Sequence, residues 1–197
     1  MSRARNRASN PFYGTKINSF TASDDATLDI SSTYITDDFD IYDVVLSNII
    51  PATDDSYLAC RFGVGGTIQS GGSDYGYKFY GSGNAAAHSN VWSNWVDNLS
   101  TLMVVANNGT NFGLGTGTSE NYHGHLRFYN LRGTSHYKSM LTLNAHWYSH
   151  NTYLCTARNS ICYGWLQTNN TNKVDTLQFL MGSGNIASGT FKLYGVN

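Results

Sequence analysis

The sequence is short of charge, of proline and of glutamate. Only 13% of its 197 residues are charged, and the net charge is −1. That balance offers no concentrated positive field of the kind nucleic acid requires, so no nucleic-acid partner is expected. Glutamate occurs once, at Glu120, and the aspartates gather mainly in turns at Asp24-Asp25, Asp37-Asp38 and Asp54-Asp55. Glycoside hydrolysis needs two carboxylates facing one another across a cleft, and nothing in this pattern forces such a pair. Three cysteines, an odd number, argue against a disulfide framework. No apolar run approaches the roughly 20 residues of a membrane-spanning helix, so no membrane insertion is expected. The arginines near the start are followed by no apolar h-region, and no secretory leader is expected. Gly-x-Ser-x-Gly elbows, phosphate loops and dinucleotide fingerprints are all missing. These absences point away from an enzyme and away from any cofactor.

What is present is aromatic and glycine-rich. Aromatic residues make up 14% of the chain, with 14 tyrosines, and there are 20 glycines against 2 prolines. Such a profile suits many short strands joined by glycine turns. A hydrophobic fraction of 41% in 197 residues is enough to build one sizeable core. The charge is unevenly placed. Residues 1–16 hold Arg3, Arg5, Arg7 and Lys16 and no acid, leaving eight bases against thirteen acids, a net of −5, in the rest. A cationic arm therefore precedes an acidic body.

Residues 1–18 show no period of two or of 3.6 and contain Pro11 and Gly14. They read as an extended basic arm, with Arg3, Arg5, Arg7, Phe12, Tyr13 and Lys16 as its partner-binding residues. Residues 19–197 read as one all-β domain. Thr27–Ile30 is a short strand. Phe39–Ile50 is apolar on both parities, which suits a central strand covered on both faces. Pro51 ends it, and Tyr57–Gly63 returns as its hairpin partner. Tyr75–Tyr80 places Tyr75, Tyr77 and Phe79 on one face. The stretch 81–99 reads either as a short helix, from Val91, Trp95 and Leu99 at i, i+4, i+8, or as a surface loop. Strands follow at 101–106, 122–130, 137–149 and 153–166, the last broken by a turn near Arg158-Asn159. Leu177, Phe179 and Met181, then Phe191 and Leu193, alternate along two closing runs, and the glycine-rich segment 182–189 between them reads as the loop of a long hairpin. About ten strands with regular turn signals predict an antiparallel β-sandwich, jelly-roll-like in type.

Histidine offers one candidate metal site. His123 and His125 share a face of one strand, and His146 and His150 share a parity on another. Were the strands neighbours, three imidazoles would surround a Zn²⁺, but a half-exposed aromatic face is the ordinary finding and no metal is expected. Cys155 and Cys162 would lie opposite one another across the Arg158-Asn159 turn, although buried thiols suit a cytosolic product better. Aromatic residues outnumber what a small core can hold. Tyr75, Tyr77, Trp92 and Trp95, in the segment 71–95, are candidates for surface or glycan contact, and Tyr and Trp of this kind also suit a subunit interface.

Two segments also carry a resemblance. Phe39-Asp-Ile-Tyr-Asp-Val-Val-Leu-Ser-Asn-Ile-Ile-Pro-Ala-Thr-Asp-Asp55 with Leu58-Ala-Cys-Arg-Phe62, and the closing Ser183-Gly-Asn-Ile-Ala-Ser-Gly-Thr-Phe-Lys-Leu-Tyr-Gly195, resemble virion structural proteins of tailed bacteriophages, especially marine and cyanobacterial ones. The opening Met1-Ser-Arg-Ala-Arg5 is similar to the start of many such proteins. The resemblance implies a jelly-roll-like sandwich that assembles on the particle and carries no catalytic motif. The expected role is a capsid decoration protein in the virion, assembled in the host cytoplasm. It would be a homotrimer bound to the major capsid protein through its arm. The alternative is a tail fibre or short tail appendage, bound to other tail proteins and acting as a host-receptor module for a surface glycan. The lack of a collagen-like repeat, heptad stalk or β-helical shaft favours the first.

Overall fold

The computed structural model describes residues 9–10, 14–85, 88–106, 113–117, 120–150 and 153–197, with side chains over 14–80, 100–105, 113–117, 120–143 and 160–197. The strands in chain order are β1 (Ser9–Asn10), β2 (Gly14–Asp25), β3 (Thr27–Ile30), β4 (Ile41–Pro51), β5 (Leu58–Val64), β6 (Thr67–Ile68) and β7 (Tyr75–Ala85). They continue with β8 (His88–Ser100), β9 (Met103–Ala106), β10 (Tyr122–Tyr129), β11 (Ser139–His150), β12 (Tyr153–Leu166), β13 (Val174–Met181) and β14 (Ile186–Val196). Among the described residues there is no helix. A nine-stranded antiparallel sheet runs β1-β2-β14-β4-β10-β11-β12-β7-β8. A smaller antiparallel sheet runs β3-β13-β5-β6, with β9 also paired to β5. The protein is an all-β sandwich.

Eight strands form its central part, β2-β14-β4-β10 in one layer and β3-β13-β5-β9 in the other. Two insertions widen the large sheet: β7 and β8 follow β5 and β6, and β11 and β12 follow β10. The layers meet through aromatic rings, with Phe179 of β13 against Phe191 of β14 at 5.0 Å and Phe62 of β5 against Phe128 of β10 at 5.9 Å. Tyrosines are buried here by giving their hydroxyls partners. Tyr75 Oη accepts from the Phe62 amide at 2.7 Å and donates to the Gln69 carbonyl at 2.9 Å. Tyr42 Oη accepts from the Thr36 amide at 2.8 Å and donates to the Thr36 carbonyl.

Several expectations are corrected. The two closing runs are not a hairpin. β13 pairs with β3 and β5, β14 pairs with β2 and β4, and the loop at 182–185 crosses from one layer to the other. Strand alternation is the same whether an apolar face meets its neighbour in one sheet or across a core, so period two does not separate the cases. β4 and β5 likewise lie in different layers. The central place of β4, between β14 and β10, is observed. Its mixed parity comes from Ile41 and Val45 on the outer face and, further along, from a bulge. Asn48 adopts φ 53°, the register with β10 shifts between Leu46 and Ile49, and Ile49 turns back into the core.

Residues 81–85 and 88–99 are strand, neither helix nor surface loop. Ser82–Ala85 continue β7, and β8 pairs with β7 from Ala85↔His88 to Tyr75↔Ser100. Ladder pairing overrides the weak helical spacing of Val91, Trp95 and Leu99. β12 runs unbroken through Arg158-Asn159. Cys155 and Cys162 therefore sit seven residues apart on one strand, about 23 Å at strand rise, too far for a bridge. Cys162 is a buried free thiol. At the N-terminus, β2 begins at Gly14, so residues 14–18 belong to the sheet and not to an arm, and Lys16 lies opposite Tyr194. Gly14 has φ 74°, and a side chain there would run into the Gly195 carbonyl oxygen.

Candidate docking face

The outer face of the large sheet carries the unusual chemistry. Strand register sets three rows across β4, β10, β11, β12 and β7. One row reads Val45, His125, Leu143, Ile161, Tyr80. The next reads Asp43, Arg127, Leu141, Tyr163, Lys78, and the third Ile41, Tyr129, Ser139, Trp165, Gly76. Leu143 is 54% exposed, Ile161 and Tyr163 47% and Tyr80 46%. Of the five large hydrophobic residues exposed among the described ones, these four are neighbours, with only Tyr137 elsewhere. Scattered apolar side chains need no explanation, but a contiguous group marks a binding surface.

The reason these side chains point outward lies on the opposite parity of β12. Ser160, Cys162, Gly164 and Leu166 face the core. A methyl group on Gly164 would press on Met103 of β9 at 2.8 Å from its sulfur. Room under β12 is tight, so its small residues go in and Ile161, Tyr163 and Trp165 go out. The Trp165 ring lies directly over Gly76 of β7, where any Cβ would collide with it. Its Nε1 donates to Gln167 Oε1 at 3.1 Å, which fixes the indole. The Tyr163 ring sits 5.9 Å away at a 34° tilt.

Charge borders this apolar strip. Arg127 donates to Asp43 through both Nε, at 2.8 Å, and Nη2, at 2.7 Å, in a bidentate pair. The Asp43 side chain is fully buried, and His125 Nε2 lies 3.3 Å from its Oδ1. Burial alone would raise the Asp43 carboxyl, but the hydrogen bonds from Arg127 and then His125 outweigh it and hold the group below its usual range. The carboxylate in turn pushes Arg127 up. On the other side Lys78 Nζ stands 5.1 Å from the Tyr80 ring centre, a cation–π distance.

The candidate residues named from sequence fall elsewhere. Tyr75 and Tyr77 are buried in the core and unavailable to a glycan. They are inward because the β7 parity that carries them, with Phe79, faces the small sheet, and Tyr80 on the other parity is the exposed one. Lys16 is a strand residue of β2. Arg3, Arg5, Arg7, Phe12 and Tyr13 lie outside the described residues. Trp92 and Trp95 lie on β8, at register positions opposite Gly81 and Lys78, with their side chains outside the described set. The histidines do not converge by register: Tyr122 pairs with His146, whereas His123 pairs with Ala145, so the two sets alternate. Among the described residues no group of three or more His, Cys, Asp or Glu is placed to hold a metal ion. Glu120 is nearly buried, its Oε2 accepting from the Gly117 amide at 2.9 Å within a turn.

The strip Leu141, Leu143, Ile161, Tyr163 was not singled out from sequence. A signal was present: over residues 160–165 of β12 the bulky Ile161, Tyr163 and Trp165 take one parity and Ser160, Cys162 and Gly164 the other. Ordinary reasoning sends bulk inward, and here it is reversed. No protein-family model matches the chain, nor does any curated protein or any solved structure.

Proposed function

We propose that the chain is a structural protein of a tailed-bacteriophage virion, most simply a decoration protein that sits on the head. The strand order carries this reading. β2-β14-β4-β10 facing β3-β13-β5-β9 is the order expected of a double Greek-key jelly roll, an architecture shared by viral capsid domains and lectins. Fold alone does not give function. The resemblance of the Phe39–Phe62 and Ser183–Gly195 segments supplies the virion context, and the exposed strip supplies a surface suited to assembly. In this reading the basic residues Arg3, Arg5 and Arg7 engage the major capsid protein, and copies of the chain associate as a homo-oligomer, a trimer in the simplest case. No catalytic step is assigned. Asp43 and Glu120, the buried acids among the described residues, are both engaged in hydrogen bonds that hold the fold.

A second reading is a tail appendage that binds a host-surface glycan. One observation favours it: the Trp165 indole, laid over Gly76 beside Tyr163, has the form of a sugar-stacking platform. Quantitative mass spectrometry of purified virions separates the two. A decoration protein is present at on the order of hundreds of copies per particle, in fixed ratio to the capsid lattice, whereas a tail appendage is present at on the order of ten. Absence from virions overturns both. Deleting residues 1–13, which stops short of β2, abolishes head attachment in the first reading and leaves it unchanged in the second.

A further inference from the structure

We propose that the outer strip on β10, β11, β12 and β7 is the docking surface for a second copy of this chain, and that it receives the acidic end of that copy. The proposal rests on the self-association in the reading above, but not on where the protein resides.

The strip has the anatomy of a protein interface. Leu141, Leu143, Ile161 and Tyr163 form an apolar centre, and charged groups lie on both flanks. The flanking charge is of one sign. From β2 to β7 the outer face carries Lys16, Lys192, Arg127 and Lys78. Asp43 and Arg127 neutralise one another, which leaves Lys16, Lys192 and Lys78 as the net charge of this face until β2 runs into its end at Asp24 and Asp25. Packing this face on itself would set cation against cation whichever way the sheets were turned, because Lys192 and Lys78 lie on opposite sides of the apolar centre. A symmetric face-to-face dimer is therefore disfavoured.

The complementary surface exists on the same molecule. At the end where β2 turns into β3, three loops are tied together. Asn185 Nδ2 donates to the Asp24 carbonyl and carboxylate, both at 3.0 Å, the Ala52 amide donates to the Asn185 carbonyl at 2.8 Å, and Ser56 Oγ donates to the Ser183 carbonyl at 2.9 Å. The Gly113 amide donates to Asp55 Oδ1, which brings in a fourth segment. Asp24, Asp25, Asp54 and Asp55 thus share one end of the sandwich. No lysine or arginine occurs in residues 22–27, 46–58, 113–122 or 181–190. A basic-rimmed face on one copy and this acidic end on the next make a head-to-tail contact. Such a contact is heterologous, and its repetition closes into a ring or continues as a filament.

Sedimentation velocity of the full chain tests this, at concentrations up to about 100 µM, enough to populate a contact of micromolar Kd. The expected result is a species of three or more copies, or a ladder, that weakens as salt is raised. Ile161→Glu and Asp54→Lys, on the two surfaces, each weaken association by at least about thirty-fold, as loss of an interface hot spot does. Combining Asp54→Lys with Lys78→Glu recovers part of it by exchanging the two signs. Leu143→Ser serves as a milder face variant, and an unchanged melting temperature shows that each variant is folded. Wild type that stays monomeric overturns the proposal. So does an oligomer indifferent to Ile161→Glu, or a two-fold dimer that survives Asp54→Lys. None of these outcomes bears on virion copy number, so the two readings fail separately.

Discussion

At the end of the sandwich where β2 turns into β3, four aspartates stand without a lysine or arginine in any of the surrounding segments. At the opposite end, Asp37 meets two cations. Arg132 Nε donates to it at 2.8 Å and Lys173 Nζ at 2.9 Å, and Arg132 Nη1 also donates to the Val174 carbonyl at 3.2 Å. Beside them Lys138 is fully buried, its ammonium donating to the carbonyls of Gly133 at 2.6 Å, His136 at 3.1 Å and Asn170 at 2.6 Å. The second end uses cations to clamp the loops 31–40, 130–138 and 167–173. The first folds its turns with amide hydrogen bonds, some of them to the carboxylates of Asp24, Asp25 and Asp55, and places no lysine or arginine in those turns. At one end carboxylate meets cation inside the chain; at the other the carboxylates meet only neutral amide donors, so their charge is left for the partner proposed above.

The largest break in this comparison comes from Lys138. Lys138→Met keeps the aliphatic stem but leaves three carbonyl oxygens without their donor, and should cost about 3 kcal/mol. Urea denaturation measures it, and a loss under about 1 kcal/mol would mean that water replaces the ammonium and that the clamp is not ionic. Asp43 tests whether buried charge matters away from both ends. Asp43→Ala strands Arg127, but that guanidinium is a third exposed and recovers some hydration, so the expected loss is smaller, about 2 kcal/mol.

These two residues also show what the sequence could and could not say. The all-β class, the central place of the strand after Phe39 and the inward alternation of Leu177, Phe179, Phe191 and Leu193 were legible, because each follows from a period of two. Layer assignment was not. β13 and β14 look like a hairpin until Phe179 and Phe191 are seen to face each other across the core. The docking strip was hidden for the same reason: Ile161, Tyr163 and Trp165 share a parity, but only the crowding of Gly164 by Met103 decides that this parity points out. Asp43 sat in an apolar run with no sign that Arg127, on another strand, would pair with it.

The pH response sharpens the contrast further. Asp37 is drawn from 3.8 to about 2 by hydrogen bonds from Arg132 and then Lys173. A carboxylate held lower in the folded state contributes stability that is present above its unfolded value and lost as pH falls through the folded one. The contribution of Asp37 is therefore complete above about pH 4 and fades toward pH 2. Asp43, also lowered, acts in the same direction. Because Asp37 is exposed, its share is small and should vanish in molar salt, whereas that of Asp43 persists. Thermal melts of Asp37→Asn against wild type, at pH 2 to 5 in low and high salt, separate the two. A slope unchanged by the substitution would remove Asp37 from the clamp.

The smallest expected effect is at the acidic end, and there the small size is the point. Asp54 is exposed, and its side chain accepts no hydrogen bond among those that tie the end together. Asp54→Asn should change unfolding free energy by no more than about 0.5 kcal/mol, in the range of ordinary surface substitutions. Relief of repulsion from Asp55 would make the sign slightly favourable. A loss above about 1 kcal/mol would show that this end, like the other, uses its charge to fold. A neutral result, set beside the loss at Lys138, leaves the Asp54 carboxylate with no work inside its own chain, as the proposed contact with a neighbour requires.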